Sequence, residues 1–164
     1  MEILVGSLCF VTDELFLRVN DPYLKINYET TKRPHYFAVR DEKSELYWLV
    51  PCSSKIEKFE LLIQKKKEAH KPTDTIKIVK IFGKKTVLLF QDMFPVTESY
   101  IDGPYIKGGQ YVRIADPKLV LELEKTAKKV IKLLHKGVKF TPTQPDINRI
   151  ENFMLGELHN EDQA

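Results

Sequence analysis

The 164-residue sequence has only two cysteines, Cys9 and Cys52, and no apolar run near the roughly 18 residues that a membrane span needs. The two cysteines lack a metal-binding spacing, and a reducing compartment would keep both as thiols. The N-terminal segment also lacks the basic lead and long apolar stretch of a signal peptide. We therefore expect a cytoplasmic protein without a membrane partner.

Motifs of several enzyme classes are missing as well. The sequence has no GxxxxGK[ST] loop, no GxGxxG after a strand, no HExxH and no clustered acidic pair. Asp13, Asp21 and Asp41 are isolated and lie in predicted turns. A two-metal nuclease is therefore not expected, and the sequence predicts neither a metal site nor a cofactor.

Positive charge is concentrated in one part of the chain. Between Lys55 and Lys85 there are ten lysines and four acidic residues, so this window carries +6, whereas the formal net charge of the whole chain is +3. A positive face of this kind can follow a phosphate backbone. The same lysines can also form an ordinary solvated surface, and charge alone does not decide between these interpretations.

Hydrophobic periodicity predicts a single α+β domain over residues 1–164. Strands are expected at Tyr36–Arg40, Glu45–Val50, Thr75–Phe82 and Thr86–Phe90, with weaker candidates at Ile3–Phe10 and Gln110–Ile114. Helices are expected at Lys55–Ala69, between an Asp116 cap and a Gly137 stop, and from Asp146 to about Leu158, with a frayed tail over 160–164. Hairpins in the middle and helices on either side favour a mostly antiparallel sheet flanked by helices.

The stretch after the first hairpin suits phosphate binding. The strand is expected to end at Pro51, which cannot donate to a sheet ladder, and Ser54 and Glu57 match the S-x-x-E capping box of a helix start. A helix N-terminus presents free N–H groups and a positive dipole end, and the Ser53 hydroxyl and the Lys55 ammonium stand beside it. The plainer alternative is a well-capped helix without a ligand.

The segment before the first hairpin combines an aromatic residue, a hydroxyl, two cations and a histidine: Tyr28, Thr31, Lys32, Arg33 and His35. Aromatic rings stack on unpaired bases and cations hold phosphates, so the mixture suits single-stranded RNA. The ordinary histidine pKa of about 6.5 would let His35 move protons near neutral pH. The alternative is a polar loop that leads into a strand.

Three short motifs follow one another in a recognisable order: Pro34-His35-Tyr36-Phe37-Ala38-Val39 with the hairpin to Trp48, then Pro51-Cys52-Ser53-Ser54-Lys55, then Asp92-Met93-Phe94-Pro95-Val96. The second resembles the Pro-Leu-(Ser/Thr)-Ser-Pro-Lys signature of the ToxN/AbiQ toxins of type III toxin–antitoxin systems. The first and third resemble the strand pair before that signature and the family's Met-(Ile/Phe)-Pro-(Ile/Val) segment. The likeness is greatest to the CptN-like subgroup. Because the proline before the family's lysine is missing here, Lys58 is an alternative to Lys55.

The resemblance implies a compact, highly twisted sheet related to the Kid/MazF toxin fold, and a metal-independent endoribonuclease without a cofactor. Without a metal, the RNA's own 2′-hydroxyl would attack the phosphorus and leave a 2′,3′-cyclic phosphate and a 5′-hydroxyl. The implied partners are a small pseudoknot antitoxin RNA, which the toxin cuts from a repetitive precursor, and a cellular or phage mRNA substrate. Toxin and antitoxin RNA would alternate in a closed hetero-oligomer, and DNA is not expected as a partner.

The site residues follow from this interpretation. Ser53 would align the RNA and Lys55 would stabilise charge, while Tyr28, Lys32 and His35 are candidates for contacts or proton transfer. The remaining candidate RNA contacts are Ser54, Thr31, Arg33, Lys58, Lys65, Lys66, Lys67, Lys84 and Lys85. Two other functions remain open at this stage, a non-catalytic RNA-binding module and a protein-binding adaptor whose lysines only solubilise it.

Overall fold

The computed structural model describes residues 2–25, 27 and 31–163. The strands in this range are β1 (Leu8–Val11), β2 (His35–Arg40), β3 (Tyr47–Ser53), β4 (Ile76–Ile81), β5 (Lys84–Leu89), β6 (Phe94–Val96), β7 (Ile101–Pro104), β8 (Ile106–Lys107) and β9 (Gln110–Tyr111). The α-helices are α1 (Asp13–Val19), α2 (Ile56–Glu68), α3 (Pro117–His135) and α4 (Ile147–Gln163). Short 3-10 turns lie at Phe90–Asp92 and Glu98–Tyr100.

One seven-stranded sheet organises the chain. Six strands follow the order β4-β5-β3-β2-β1-β7, and β6 pairs with β3 beside this path. Each of these pairings is antiparallel, and β8 and β9 form a separate small hairpin. The predicted α+β class with a mostly antiparallel sheet is confirmed.

Two apolar clusters hold the helices against this sheet. The larger one places the buried stripe of α3, including Leu123 and Val130, and Ile150 and Met154 of α4 among the buried side chains of the central strands. The smaller one packs Phe59 of α2 with the side chains of β4 and β5. Since β3 pairs with β2 over most of its length and with β5 at its end, the strand end lies between the two clusters.

The strand β3 runs two residues beyond the Pro51 end that the sequence predicted. On one side it pairs with β6 over 47–49 and with β5 over 52–53, so Pro51 stands in the gap between these two ladders. The N–H of Cys52 points to the other side, where it donates to the Pro34 carbonyl at 3.1 Å. Because successive N–H groups alternate in direction, a donor at Pro51 would face the gap, and proline interrupts no ladder bond there.

The helix ends differ in their agreement with the sequence. Asp116 caps α3 as expected, because its side chain accepts a hydrogen bond from the Lys118 N–H at 2.9 Å. The last helix, α4, continues to Gln163, five residues beyond the predicted end near Leu158, because extending an existing helix is easier than starting one; the frayed tail over 160–164 stays a prediction. The sequence also missed α1, β6, β7 and β8.

No helix in the described part of the chain is long and apolar enough to cross a membrane. The single-domain division and the Kid/MazF relation stay predictions.

Candidate functional site

Ser53 closes β3 immediately before α2 begins. Its side chain is largely buried, with 7% of the residue exposed, and its hydroxyl accepts a hydrogen bond from the Lys55 N–H at 3.2 Å. Lys55 is the N-cap residue of α2, and its side chain makes no capping bond. The predicted capping box of Ser54 and Glu57 is therefore wrong, because the two extra residues of β3 move the start of the helix and leave Ser53 to accept the N–H beside it.

A cleft of about 380 Å³ opens beside Ser53. Its walls come from distant parts of the chain: the loop before β2, the end of β3, the β4–β5 hairpin and the segment after β7. Six residues that the sequence predicted for the site line this cleft: Thr31, Lys32, Ser53, Ser54, Lys84 and Lys85. The fold thus brings together residues that are up to 54 positions apart in the sequence.

The lining of this cleft has a charge of one sign. It includes Lys32, Lys84, Lys85 and Lys107, and among the described residues no acidic side chain lines it. The lining also has an apolar floor, which includes the buried Leu8 and Cys52. Lysines around a low-dielectric floor favour an anion and raise its local concentration.

Two of the cleft lysines are already paired with carboxylates nearby. The Lys32 ammonium forms an ion pair with Asp102 of β7, and both side chains are about two-fifths exposed. The Lys85 ammonium lies 3.3 Å from a carboxylate oxygen of Glu60 on α2. Exposed pairs of this kind are weak, so they orient the two ammonium groups without preventing a phosphate from replacing the carboxylates.

Arg33 supports the backbone next to Ser53. Its Nη1 donates to the Cys52 carbonyl oxygen at 2.8 Å, and its own N–H donates to Asn27 Oδ1 at 3.1 Å. Arg33 is partly buried and is not among the described residues that line the cleft. The geometry therefore gives it a role in holding the end of β3, and RNA contact by Arg33 stays a prediction.

The prediction that His35 contacts RNA or carries a proton is wrong for this structure. The residue is 0% exposed, its Nδ1 lies 3.0 Å from the Arg33 carbonyl oxygen, and its ring packs edge-on against Phe94 at 5.5 Å. Burial lowers the pKa of His35 to about 3 because a charged imidazole is disfavoured away from water. The side chain is thus neutral near pH 7 and belongs to the core.

The other predicted lysines lie along α2, outside the cleft. Lys55 and Lys58 border a shallow depression that shares Ser54 with the cleft, and the Lys58 ammonium stands 5.3 Å from the Phe59 ring centre. Lys65, Lys66 and Lys67 form the last turn of α2, about 15 Å along the helix from its start at 1.5 Å per residue. Only an RNA that extends beyond the cleft would reach them. Tyr28 lies outside the described residues.

Nine of the described residues that line the cleft were not predicted as site residues from the sequence, among them Phe82, Tyr105 and Lys107. The sequence contains a pattern that predicts a hairpin at Lys107, because two consecutive glycines are typical of tight hairpin turns. In the structure Gly108 and Gly109 have positive φ and form the turn between β8 and β9. That local signal predicts a hairpin but does not show which surface the hairpin faces. Within the described residues, no group of three or more His, Cys, Asp or Glu side chains is arranged to hold a metal ion.

Comparison with known proteins adds one structural likeness. No model of a known protein family matches the sequence, and no curated protein matches it. Among solved structures the chain is similar to AbiQ, a lactococcal anti-phage endoribonuclease belonging to the type III toxin–antitoxin system. The TM-score is 0.69 over 94% of this chain and 98% of AbiQ, at 16% sequence identity.

The chain has the AbiQ fold. The fold that the sequence resemblance implied is therefore confirmed by a comparison of whole structures. At 16% identity the likeness to AbiQ concerns the fold, and the chemistry has to be argued from the cleft itself.

Proposed function

We propose that the protein is a metal-independent, sequence-selective endoribonuclease and the toxin of a type III toxin–antitoxin system. The observation that carries this proposal is the cleft beside Ser53, where four lysines and no described acidic residue surround a hydroxyl at a strand end. The AbiQ fold supports the same function, because AbiQ is an endoribonuclease of such a system.

The cleft suits a single-stranded polyanion. Lys84 and Lys85 stand on the hairpin at one wall, and Lys32 and Lys107 come from other segments. A strand of RNA in the cleft would place successive phosphates near these cations, with its bases against the apolar floor. This combination of a positive groove and apolar or aromatic surface is typical of proteins that bind unpaired nucleic acid.

The proposed reaction uses the 2′-hydroxyl of the substrate as nucleophile. The 2′-oxygen forms a bond to the adjacent phosphorus as it loses its proton, and the bond from phosphorus to the 5′-oxygen breaks as that oxygen gains a proton. The products are a 2′,3′-cyclic phosphate and a 5′-hydroxyl. The protein has to align these atoms, stabilise the added negative charge on the phosphorane oxygens and transfer two protons.

Ser53 and the lysines around it fit these tasks. The Ser53 hydroxyl accepts the Lys55 N–H, which leaves its own hydrogen to donate to a non-bridging phosphate oxygen and align it. Lys32 in the cleft and Lys55, which lies outside the cleft two residues after Ser53, would stabilise the phosphorane. Tyr28 and Lys32 remain the candidates for proton transfer, whereas the buried His35 does not.

The proposed partners follow from the same assignment. A small pseudoknot RNA, cut by the toxin from a repetitive precursor, would occupy the cleft and block it, and toxin and RNA would alternate in a closed hetero-oligomer. Cellular or phage mRNA would be the substrate when this antitoxin is lost. A tandem array of short repeats immediately upstream of the coding sequence would support the assignment, and a unique upstream sequence would count against it.

An RNA cleavage assay in excess EDTA tests the activity. We expect cleavage with 2′,3′-cyclic phosphate and 5′-hydroxyl ends, identified by end-labelling before and after phosphatase treatment. A strict requirement for added magnesium, or 3′-hydroxyl and 5′-phosphate ends, would overturn the mechanism. Binding of intact RNA without cleavage would favour a non-catalytic RNA-binding module, and absence of both binding and cleavage would favour a protein-binding adaptor.

A further inference from the structure

The turn between β4 and β5 has an unusual residue in its first central position. Ile81 pairs with Lys84, so Phe82 and Gly83 alone make the turn, and their φ angles are +52° and +75°. Two positive φ angles in a two-residue hairpin indicate a type I′ turn, which favours Asn, Asp or Gly at its first central position. A bulky side chain in this left-handed region is an outlier.

Neither packing in the core nor the geometry of the turn requires a phenylalanine at position 82. Phe82 is 48% exposed, and among the described residues it belongs to neither apolar cluster. An asparagine in its place would relieve the backbone strain and remove an exposed apolar ring. Strained positions of this kind concentrate at functional sites, and the Phe82 side chain lines the same cleft as Ser53.

A second aromatic ring reaches the cleft from the far end of the sheet. β4 and β7 are the two end strands of the sheet, yet Phe82 in the turn after β4 and Tyr105 directly after β7 line one cleft. The Tyr105 ring packs against Phe10 with 5.1 Å between ring centres, and its backbone N–H donates to the Leu8 carbonyl at 2.9 Å. Tyr105 is thus held in place, while Phe82 stands on an exposed hairpin tip.

We propose that Phe82, together with Tyr105, forms a stacking site for an unpaired base of the RNA that the cleft binds. The inference rests on the proposed function and adds a base-binding site to it. Two features indicate RNA as the ligand. The lining has four lysines and no described acidic side chain, which favours a polyanion. The exposed aromatic ring two positions before Lys84 favours a polyanion that carries planar bases. Phosphates would lie at Lys84 and Lys85 while the neighbouring base stacks on Phe82.

The test compares Phe82→Asn with Phe82→Tyr and with Tyr111→Asn. Tyr111 is a matched control because it is 50% exposed and does not line the cleft. Two 12-nucleotide 2′-O-methyl RNA probes, which cannot be cut by attack of a 2′-hydroxyl, carry the same backbone with and without bases. Filter binding over a series of salt concentrations gives Kd and its salt slope, and thermal unfolding gives Tm.

We expect Phe82→Asn to weaken binding of the probe with bases by roughly 5- to 150-fold, the range for loss of one base–aromatic stack. Binding of the abasic probe and the salt slope should not change, because no phosphate contact is lost. Tm should stay at the wild-type value or rise by about 2–4 °C, since Asn-Gly suits the turn better. Phe82→Tyr should bind both probes like wild type, and so should Tyr111→Asn.

The contrary outcomes separate this inference from the proposed function. If Phe82→Asn binds both probes like wild type, or loses affinity equally for both, the stacking site is overturned while the nuclease remains. A lower Tm together with weaker binding of both probes would make Phe82 a structural residue and would also overturn the inference. If wild type binds neither probe and cuts no RNA, the proposed function fails and the stacking site fails with it.

Discussion

The Arg33 guanidinium donates a hydrogen bond to the main-chain carbonyl of Cys52, with 2.8 Å between the two atoms. The Cys52 N–H in turn donates to the Pro34 carbonyl at 3.1 Å. Both polar groups of the Cys52 main chain are therefore bound by the segment before β2, and Ser53 follows directly. The position of the Ser53 hydroxyl thus depends on a cation that does not line the cleft.

Replacing Arg33 with alanine should impair folding and catalysis more than RNA binding. A hydrogen bond from a charged donor contributes about 1.5–3 kcal/mol, so we expect Tm to fall by roughly 3–12 °C at 2–4 °C per kcal/mol. In single-turnover cleavage the rate at saturating enzyme should fall while Kd for RNA stays within about threefold, because Ser53 is displaced and the cleft lysines remain. An unchanged Tm with much weaker binding would instead make Arg33 the RNA contact that the sequence predicted.

The buried His35 makes the stability of the protein depend on pH. Its pKa is about 3 in the folded protein and about 6.5 when unfolded, so the unfolded state binds more protons between these values. Stability is fully present above pH 6.5 and is lost as pH falls from 6.5 towards 3. At pH 5 the loss from this group is about 2 kcal/mol, which urea unfolding at pH 5 and pH 7 would measure.

His35→Phe isolates this effect, because it removes the titrating group and keeps a ring beside Phe94. The difference in unfolding free energy between pH 5 and pH 7 should shrink by most of that amount. His70→Gln is the control, since it replaces an exposed histidine and leaves His35 in place. If His35→Phe abolishes RNA cleavage but leaves stability and its pH dependence unchanged, the assignment of His35 to the core is wrong.

Two groups of lysines should differ in their contribution to RNA binding. Lys84 and Lys85 line the cleft, whereas Lys65, Lys66 and Lys67 form the far end of α2. Each phosphate contact with single-stranded RNA contributes about −0.7 to the slope of log K against log salt. Replacing Lys84 and Lys85 with alanine should therefore reduce that slope by about 1.4 on a 6-nucleotide RNA.

The triple alanine variant of Lys65, Lys66 and Lys67 serves as the comparison. On the short RNA its slope should fall less than that of the Lys84/Lys85 variant, because these three lysines do not line the cleft and lie about 15 Å along α2 from the start of the helix. A reduced slope only with a longer RNA would show that the α2 lysines meet an extended substrate. Equal slopes for wild type and the Lys84/Lys85 variant would show that RNA does not occupy the cleft.

Local sequence patterns predicted the parts of the site that lie within one segment. Ser53 and Ser54 at a strand-to-helix junction, Thr31 and Lys32 before a strand, and the lysine pair after the Gly83 turn all reach the cleft. Each depends on strand periodicity, helix start signals and turn residues, which are short-range properties. The exact helix start was wrong because a capping-box pattern cannot show that β3 continues past Pro51.

Properties that depend on distant segments could not be predicted in this way. His35 is the first residue of a strand in which residues 35–39 are all buried. It pairs with β1 on one side and with β3 on the other, and the polar residues that precede it in the sequence do not indicate these pairings. Tyr105 and Lys107 reach the cleft only because the segment after β7 lies near the β4–β5 hairpin in the folded chain. Tertiary packing of this kind overrides local preference and has no short-range signature.

The Ser53 hydroxyl is the group that we propose aligns the reacting phosphate. Ser53→Ala removes one oxygen, which accepts a single hydrogen bond from the Lys55 N–H, and it leaves the four cleft lysines unchanged. Loss of one aligned donor to a charge that develops in the transition state lowers rates by about 10²–10³-fold. We therefore expect single-turnover RNA cleavage to fall by that factor while Kd for the same RNA stays within about threefold.

Ser54→Ala provides the matched control, because Ser54 is the next residue, lines the same cleft and is exposed. Its loss should weaken RNA binding slightly and leave the cleavage rate of bound RNA near that of wild type. If Ser53→Ala still cuts at a near wild-type rate, alignment comes from elsewhere, and Lys55 or Lys58 at the start of α2 become the residues to replace. If cleavage, binding and Tm all fall together, Ser53 chiefly holds the junction of β3 and α2. A selective loss of the chemical step, with binding and Tm retained, is the result that the proposed contact between the Ser53 hydroxyl and the reacting phosphate predicts.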